Sequence, residues 1–161
     1  MITCDAVVTW NGPAVETAAK SAVSFGLLEL AKAVRNKASQ SGYSPRKTGY
    51  NAASIGIVTS DGGIQGQGAV PASASPAQLA HVRTLKVKVE AGDVAVATTS
   101  GYGGYLNYGT RARAPSHYME RALADQYRDM GWQRAMQREM KRITALRAAH
   151  ETFSGGAMSG R

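Results

Sequence analysis

Few side chains in this 161-residue chain are spaced for chemistry. Ser116, His117 and Asp125 supply the types a hydrolase needs: a hydroxyl nucleophile, an imidazole base and a carboxylate. Adjacent Ser and His side chains at a helix start point apart, however, and no third group is placed to orient the imidazole. His81, His117 and His150 lie far apart, without the H-x3-H or C-x2-C spacing of zinc sites. Cys4 is the single cysteine, so no intrachain disulfide can form, and its alternating surroundings read as those of a buried, inert thiol. These patterns predict no enzyme, no metal and no cofactor.

The most distinctive stretch is Tyr102–Leu123, YGGYLNYGTRARAPSHYMERAL. Tyr102, Tyr105 and Tyr108 are three residues apart and would line one side of a helical turn. Gly109 permits a sharp reversal that a Cβ would resist. Arg111 and Arg113 follow on an extended connector. Pro115 and Ser116 then mark a helix start, with Glu120 in its first turn facing the positive end of the helix dipole. Tyr105 and Tyr108 are expected to pack, leaving Arg111 and Arg113 as the contacts with DNA or a neighbour.

The elements around this stretch follow from periodicity. Ile2–Trp10 alternates with a period of two and predicts a first strand, closed by the Asn11-Gly12-Pro13 turn. From Pro13 to Ser39 the pattern is helical, with an apolar stripe of Val23, Leu27, Leu30 and Val34 and a Glu16–Lys20 pair. Ser41–Gly49 reads as a loop and Ser54–Ser60 as a strand with Ile55 and Ile57 on one face. Residues 61–76 (DGGIQGQGAVPASASP) show no period and predict a long mobile loop or arm, disordered in a monomer. Leu85–Glu90 alternates, Ala91-Gly92-Asp93 forms a hairpin loop, and a return strand runs from Val94 to about Thr99. A long helix is expected from Ser116 to His150. Its first half carries Met119, Leu123, Tyr127 and Met130. Its second half carries Trp132, Met136, Met140 and Ile143, roughly 140° around the axis at ~100° per residue. Either the helix breaks at Gly131 or its second half packs on something else, which makes Trp132, Met136, Met140 and Ile143 a candidate subunit interface. Arg134, Arg138, Lys141 and Arg142 lie opposite this stripe as a basic face toward solvent, a partner or DNA.

Together these elements predict an α+β fold: a small antiparallel sheet packed by a long N-terminal and a long C-terminal helix, with an extended Gly/Pro/Ser-rich loop. One domain spans 1–154, with 61–76 as the loop, and 155–161 form a glycine-rich tail. Nineteen Lys and Arg against 11 Asp and Glu give a net charge of +8. The excess is concentrated in residues 101–161, which hold ten basic and five acidic side chains. Such a surface suits nucleic acid, an acidic protein face or water. No run approaches the ~18 apolar residues that cross a bilayer. The N-terminal residues lack the basic-then-apolar order of a signal peptide, which predicts assembly in a cytoplasm.

Two segments, in this order, resemble a known family. SPRKTGYNAASI (Ser44–Ile55) is similar to the P-x-x-T-G-x-L-x-x-S-I signature of the tail-completion, or minor tail component, proteins of long-tailed bacteriophages. YGGYLNYGTRARAPSHYMERAL resembles their Y-A-x-Y-V-E-Y-G-T … P-F-L-x-P-A-L signature. The first falls on Thr48, Gly49, Ser54 and Ile55. The second falls on Tyr105, Tyr108, Gly109, Thr110, Tyr118, Met119, Ala122 and Leu123. Asn107 stands where the family usually has Glu, His117 where it often has Pro, and Asn51-Ala52 replaces a more apolar pair. The resemblance implies a non-enzymatic virion protein of the neck or tail, forming a homo-oligomeric ring, often sixfold, around the DNA channel. Its partners would be further copies of itself, the head-closure or connector protein, the tail terminator and the tail tube, with non-specific contact to genomic DNA and no membrane. Tail terminators and head-closure proteins share this ring-forming α+β character. From a different class stands a small sequence-independent nucleic-acid binder using Arg111, Arg113, the basic helix face and tyrosine stacking.

Overall fold

The computed structural model describes residues 12–44, 49–69, 71–77 and 88–156. The strand expected at Ile2–Trp10, the signature residue Thr48, residues 85–87 of the expected hairpin and residues 157–161 of the tail lie outside them. The described elements run α1 (Gly12–Ala38), α2 (Tyr50–Ala53), β1 (Ile55–Thr59), β2 (Ile64–Gln65), β3 (Val94–Thr98), α3 (Gly103–Tyr108), α4 (Tyr118–Asp129) and α5 (Gly131–Gly156). Helices packed against a small antiparallel sheet make this an α+β fold. No described helix is long and apolar enough to cross a membrane.

The sheet has the order β2-β1-β3. Ile55 pairs with Thr98 and Thr59 with Val94, so the return strand Val94–Thr98 ladders onto β1. Lys88–Glu90, the described part of the expected hairpin partner, carries no strand. The turn itself forms, with the Asp93 amide donating to the Glu90 carbonyl at 3.0 Å and Gly92 at φ 96°. β1 is buried on both faces, not one. Ile55 and Ile57 face the helices, while a Cβ at Gly56 would meet Ile64 Cγ2 at 2.6 Å and Gln67 Cγ at 3.0 Å.

That second cover corrects the reading of residues 61–76 as a free arm. β2 pairs with β1, the Gly68 amide donates to the Ala53 carbonyl at 2.9 Å, and Gln67 Nε2 donates to the Ser54 carbonyl at 3.1 Å and to Thr99 Oγ1 at 2.8 Å. An exposed, glycine-rich segment is thus tied down through polar backbone contacts that hydrophobic periodicity does not record.

α1 matches its expected span, but its buried face does not. Ala22, Gly26, Ala31, Val34 and Ala38 are buried, while Val23 is about half exposed and Leu27 and Leu30 are half-buried. The reason is α5. A Cβ at Gly26 would lie 3.0 Å from Met136 Cβ and 3.4 Å from the Trp132 carbonyl oxygen. Two helices approach this closely only over small residues, and the ~1 kcal/mol helix penalty of a glycine is accepted in exchange for the contact.

The expected long C-terminal helix breaks at Met130, one residue before Gly131. Met130 itself takes the left-handed conformation (φ 55°, ψ 18°) and its amide donates to the Tyr127 carbonyl at 3.3 Å. The stripe Met119–Leu123–Tyr127–Met130 is therefore not the core face of α4. Leu123, Tyr127 and Met130 are exposed, and Tyr118 and Ala122 are buried instead. They join Val34, Ala38 and Ile55 in the central cluster. The second stripe, left without an intrachain partner by the sequence, finds one in α1. Ala135 is buried, and Trp132, Met136, Met140 and Ile143 are half-buried, which takes most of that surface out of a subunit interface. α5 also continues past His150 to Gly156, into the residues read as tail.

Candidate functional site

The two signature segments meet at the Ile55–Thr98 end of the sheet. Gly49 enters α2 at φ 76°, a left-handed turn that glycine adopts without strain. α2 then places Asn51 in the interior, although Asn51 is the residue that departs from an apolar pattern. Asn51 Nδ2 donates to Ser44 Oγ at 2.9 Å, and Asn51 Oδ1 accepts from Ser100 Oγ at 2.7 Å and from Thr98 Oγ1 at 3.3 Å. Ser54 Oγ lies 2.7 Å from Thr98 Oγ1 and donates to the Asn51 carbonyl at 2.8 Å. Five polar side chains thus satisfy one another in a buried knot, the arrangement that interior polarity requires.

α3 begins directly on this knot. A Cβ at Gly103 would collide with Thr98 Cγ2 and lie 2.9 Å from Ser100 Oγ and 3.0 Å from Asn51 Oδ1. The Tyr102 and Tyr50 rings lie beside it, tilted by 40° with their centroids 6.1 Å apart. Below it lies Tyr118, fully buried. Burial pushes its phenol above the ordinary value, with the nearby Asn51 side chain opposing in part. The Tyr118 hydroxyl makes no hydrogen bond of acceptable geometry among the described residues.

The remainder of the second segment forms a rigid elbow between α3 and α4. Gly109 sits at φ 79°, ψ −179°, a region closed to other residues, and a Cβ there would stand 2.7 Å from both the Arg113 carbonyl and the Pro115 nitrogen. Thr110 and Arg113 exchange both backbone hydrogen bonds, at 2.8 and 3.1 Å, so the connector is a tight hairpin and not an extended run. The α4 start also differs from the expected Ser116 cap. His117 is the N-cap, left-handed at φ 47° and without a side-chain cap bond, while Ser116 Oγ donates back to the Leu106 carbonyl at 2.5 Å. Asn107 supplies the cap from α3. Its Oδ1 accepts from the Met119 amide at 3.1 Å, its Nδ2 donates to Glu120 Oε1 at 2.8 Å, and its carbonyl accepts from the His117 amide at 2.9 Å.

Tyr105 and Tyr108 do not pack, contrary to expectation. They are 58% and 71% exposed, because the inner side of α3 is taken by Gly103, Leu106 and Asn107. Thr110, Arg111 and Arg113 are exposed beside them, and neither arginine makes an ion pair among the described residues. Of the remaining signature residues, Ser54, Ile55, Tyr118 and Ala122 are buried, Met119 is half-buried and Leu123 is exposed. Arg134, Arg138 and Lys141 are exposed on α5, away from the half-buried side that carries Trp132 and Met136. Arg142 holds Glu139 in a two-pronged pair at 2.6 and 2.9 Å, which keeps the Glu139 carboxyl below its usual range.

Ser116, His117 and Asp125 are not brought together. Ser116 is bound to Leu106, and Asp125 accepts from the Tyr43 hydroxyl, whose pKa that bond raises. No group of three or more His, Cys, Asp or Glu side chains able to hold a metal occurs among the described residues. Sequence reasoning missed Asn51, Thr98, Ser100, Gly103 and Asn107 as the organising residues. For Asn51, Thr98, Ser100 and Asn107 the available signal was a short polar side chain next to apolar or aromatic residues. No protein-family model, curated protein or solved structure matches this chain.

Proposed function

We propose that this chain is a structural protein of a tailed-bacteriophage virion, a tail-completion or neck protein that forms a ring joining the tail to the head connector around the DNA channel. The reading rests on the resemblance of its two signature segments. The observation that favours it most is their convergence. Segments about fifty residues apart in the chain come together, with Gly103 seated against Asn51 of the polar knot and Tyr102 beside Tyr50, as a shared structural purpose for them requires. Gly49 forms the turn into α2, Ser54 belongs to the knot and Tyr118 is buried close to Asn51, while Gly109 and Thr110 shape the elbow that presents Tyr105, Tyr108, Arg111 and Arg113 outward. A rigid, exposed Tyr/Arg surface suits docking, because those residues dominate binding hot spots. Tail-terminator and head-closure roles belong to the same reading. Immunogold labelling of purified particles tests it: label at the head–tail junction supports it, and absence of the protein from virions refutes it.

A second reading is favoured by the exposed stripe Arg134, Arg138 and Lys141, which is unpaired among the described residues. As a sequence-independent nucleic-acid binder, the isolated protein would bind duplex DNA with a log–log salt slope of about −2.7 for three phosphate contacts. Absent or salt-insensitive binding removes this reading.

A further inference from the structure

The sheet has two chemically opposite ends. The register pairs Thr59 with Val94, so the turn after β1 and the turn before β3 lie side by side at one end. Among the described residues that end carries Asp61, Glu90 and Asp93, all exposed, against the single cation Lys88. The Thr59 hydroxyl and the Gly63 amide bind the Asp61 carboxylate and hold it below the usual carboxylate range, so it remains charged. The other end, where Ile55 pairs with Thr98, carries the elbow with Tyr105, Tyr108, Arg111 and Arg113. Five-residue strands separate the two ends by about 17 Å. Among the described residues no ion pair joins the acidic end to the aromatic, basic end within one copy.

We propose that they mate between copies: the Tyr105/Tyr108/Arg111/Arg113 elbow of one subunit seats on the Asp61/Glu90/Asp93 end of the next. This deepens the ring reading and rests on it, by naming the self-contact. The occupant is a second copy because the charge complementarity is present on this chain. An elbow-to-elbow contact would instead place four arginines together, and like-charge juxtaposition is strongly unfavourable. Head-to-tail contacts are heterologous and close into rings when the rotation per subunit allows. The elbow is also already ordered. Gly109 is sterically fixed, Thr110 and Arg113 are doubly bonded, and Asn107 ties α3 to α4, so little freedom is lost on docking.

Charge exchange in the full-length protein tests this by sedimentation velocity. One variant carries Arg111→Glu and Arg113→Glu, and the other Glu90→Lys and Asp93→Lys. All four side chains are exposed and make no ion pair among the described residues, so far-UV circular dichroism should match the parent protein. The parent assembles, and its association weakens at least about tenfold between about 0.05 M and about 0.5 M salt. Each variant alone sediments as a monomer, and an equimolar mixture recovers assembly because both kinds of junction are then complementary. Tyr105→Ala with Tyr108→Ala weakens association about tenfold while leaving its salt dependence in place. If either charge variant assembles as the parent does, or the mixture stays dissociated, the end-to-end contact is overturned and the ring reading stands. If the parent itself stays monomeric at about 0.1 mM and low salt, both are overturned, since subunit contacts tighter than ~0.1 mM are then absent.

Discussion

Asn107 offers the sharpest test of how the elbow is held. It is 4% exposed, and its side chain makes two bonds that join α3 to the first turn of α4. Asn107→Ala removes the acceptor for the Met119 amide, an N-terminal cap worth about 1 kcal/mol. It also removes the donor to the Glu120 carboxylate, a charge-assisted bond worth about 1.5 kcal/mol before Glu120 recovers water. The expected loss is about 2 kcal/mol. Asn107→Asp separates the two terms. It keeps an acceptor for Met119, and by capping preference alone it should be nearly silent, since Asn and Asp cap equally well. Here it would set a second carboxylate against Glu120, so it should cost at least as much as Ala at neutral pH. Because the folded state would raise the pKa of the new carboxyl, that penalty should shrink as pH falls toward the carboxylate range. Urea unfolding followed by circular dichroism gives both values. An Asn107→Asp protein as stable as the parent at pH 7, or an Asn107→Ala loss under about 0.5 kcal/mol, would refute this account of the elbow.

Four further outcomes follow from the same geometry. Gly103→Ala forces a Cβ into Thr98 and the polar knot, and should cost about 2–3 kcal/mol in the same unfolding assay. Gly109→Ala combines a forbidden conformation with 2.7 Å backbone contacts and should cost ~3 kcal/mol or more, read as loss of cooperative unfolding or of soluble protein. Met130→Gly relieves a left-handed residue whose side chain is about half exposed, and should raise stability by about 0.5–1 kcal/mol. Tyr118→Phe removes a buried hydroxyl without a partner among the described residues and should be neutral or stabilising by ~1 kcal/mol. Tyr118 also sets an alkaline limit. Its folded pKa is raised because burial disfavours the phenolate, so it leaves stability unchanged below the unfolded value of about 10 and lowers it as pH rises from there through the folded value. In Tyr118→Phe that part of the alkaline fall should disappear from a pH–stability profile.

Local features were legible in the sequence wherever one short window carried the signal. The helical span of α1, the strand at Ile55–Thr59, the turn before Val94, the Gly109 reversal and the interruption near Gly131 all follow from periodicity or from glycine placement. The α+β class follows from their order. The buried faces did not follow. Apolar stripes nominated Val23 on α1 and Leu123 and Tyr127 on α4, yet these are exposed. Which side of a helix is buried depends on what crosses it, and α5 crosses α1 over Gly26, where small size matters more than hydrophobicity.

The elbow shows the same division. Residue types alone indicated a turn at Gly109 and a helix beginning near Ser116. Only the tertiary structure decided that Asn107 caps that helix, that Tyr105 and Tyr108 face outward, and that Asn51 is the hub of a buried knot. Each of these depends on a partner tens of residues away or on a neighbouring helix, and hydrogen bonds between distant polar side chains leave no period in a sequence. The acidic residues were likewise present as residue types, but only the Thr59–Val94 register brought the turns that carry Asp61 and Asp93 to the same end of the sheet.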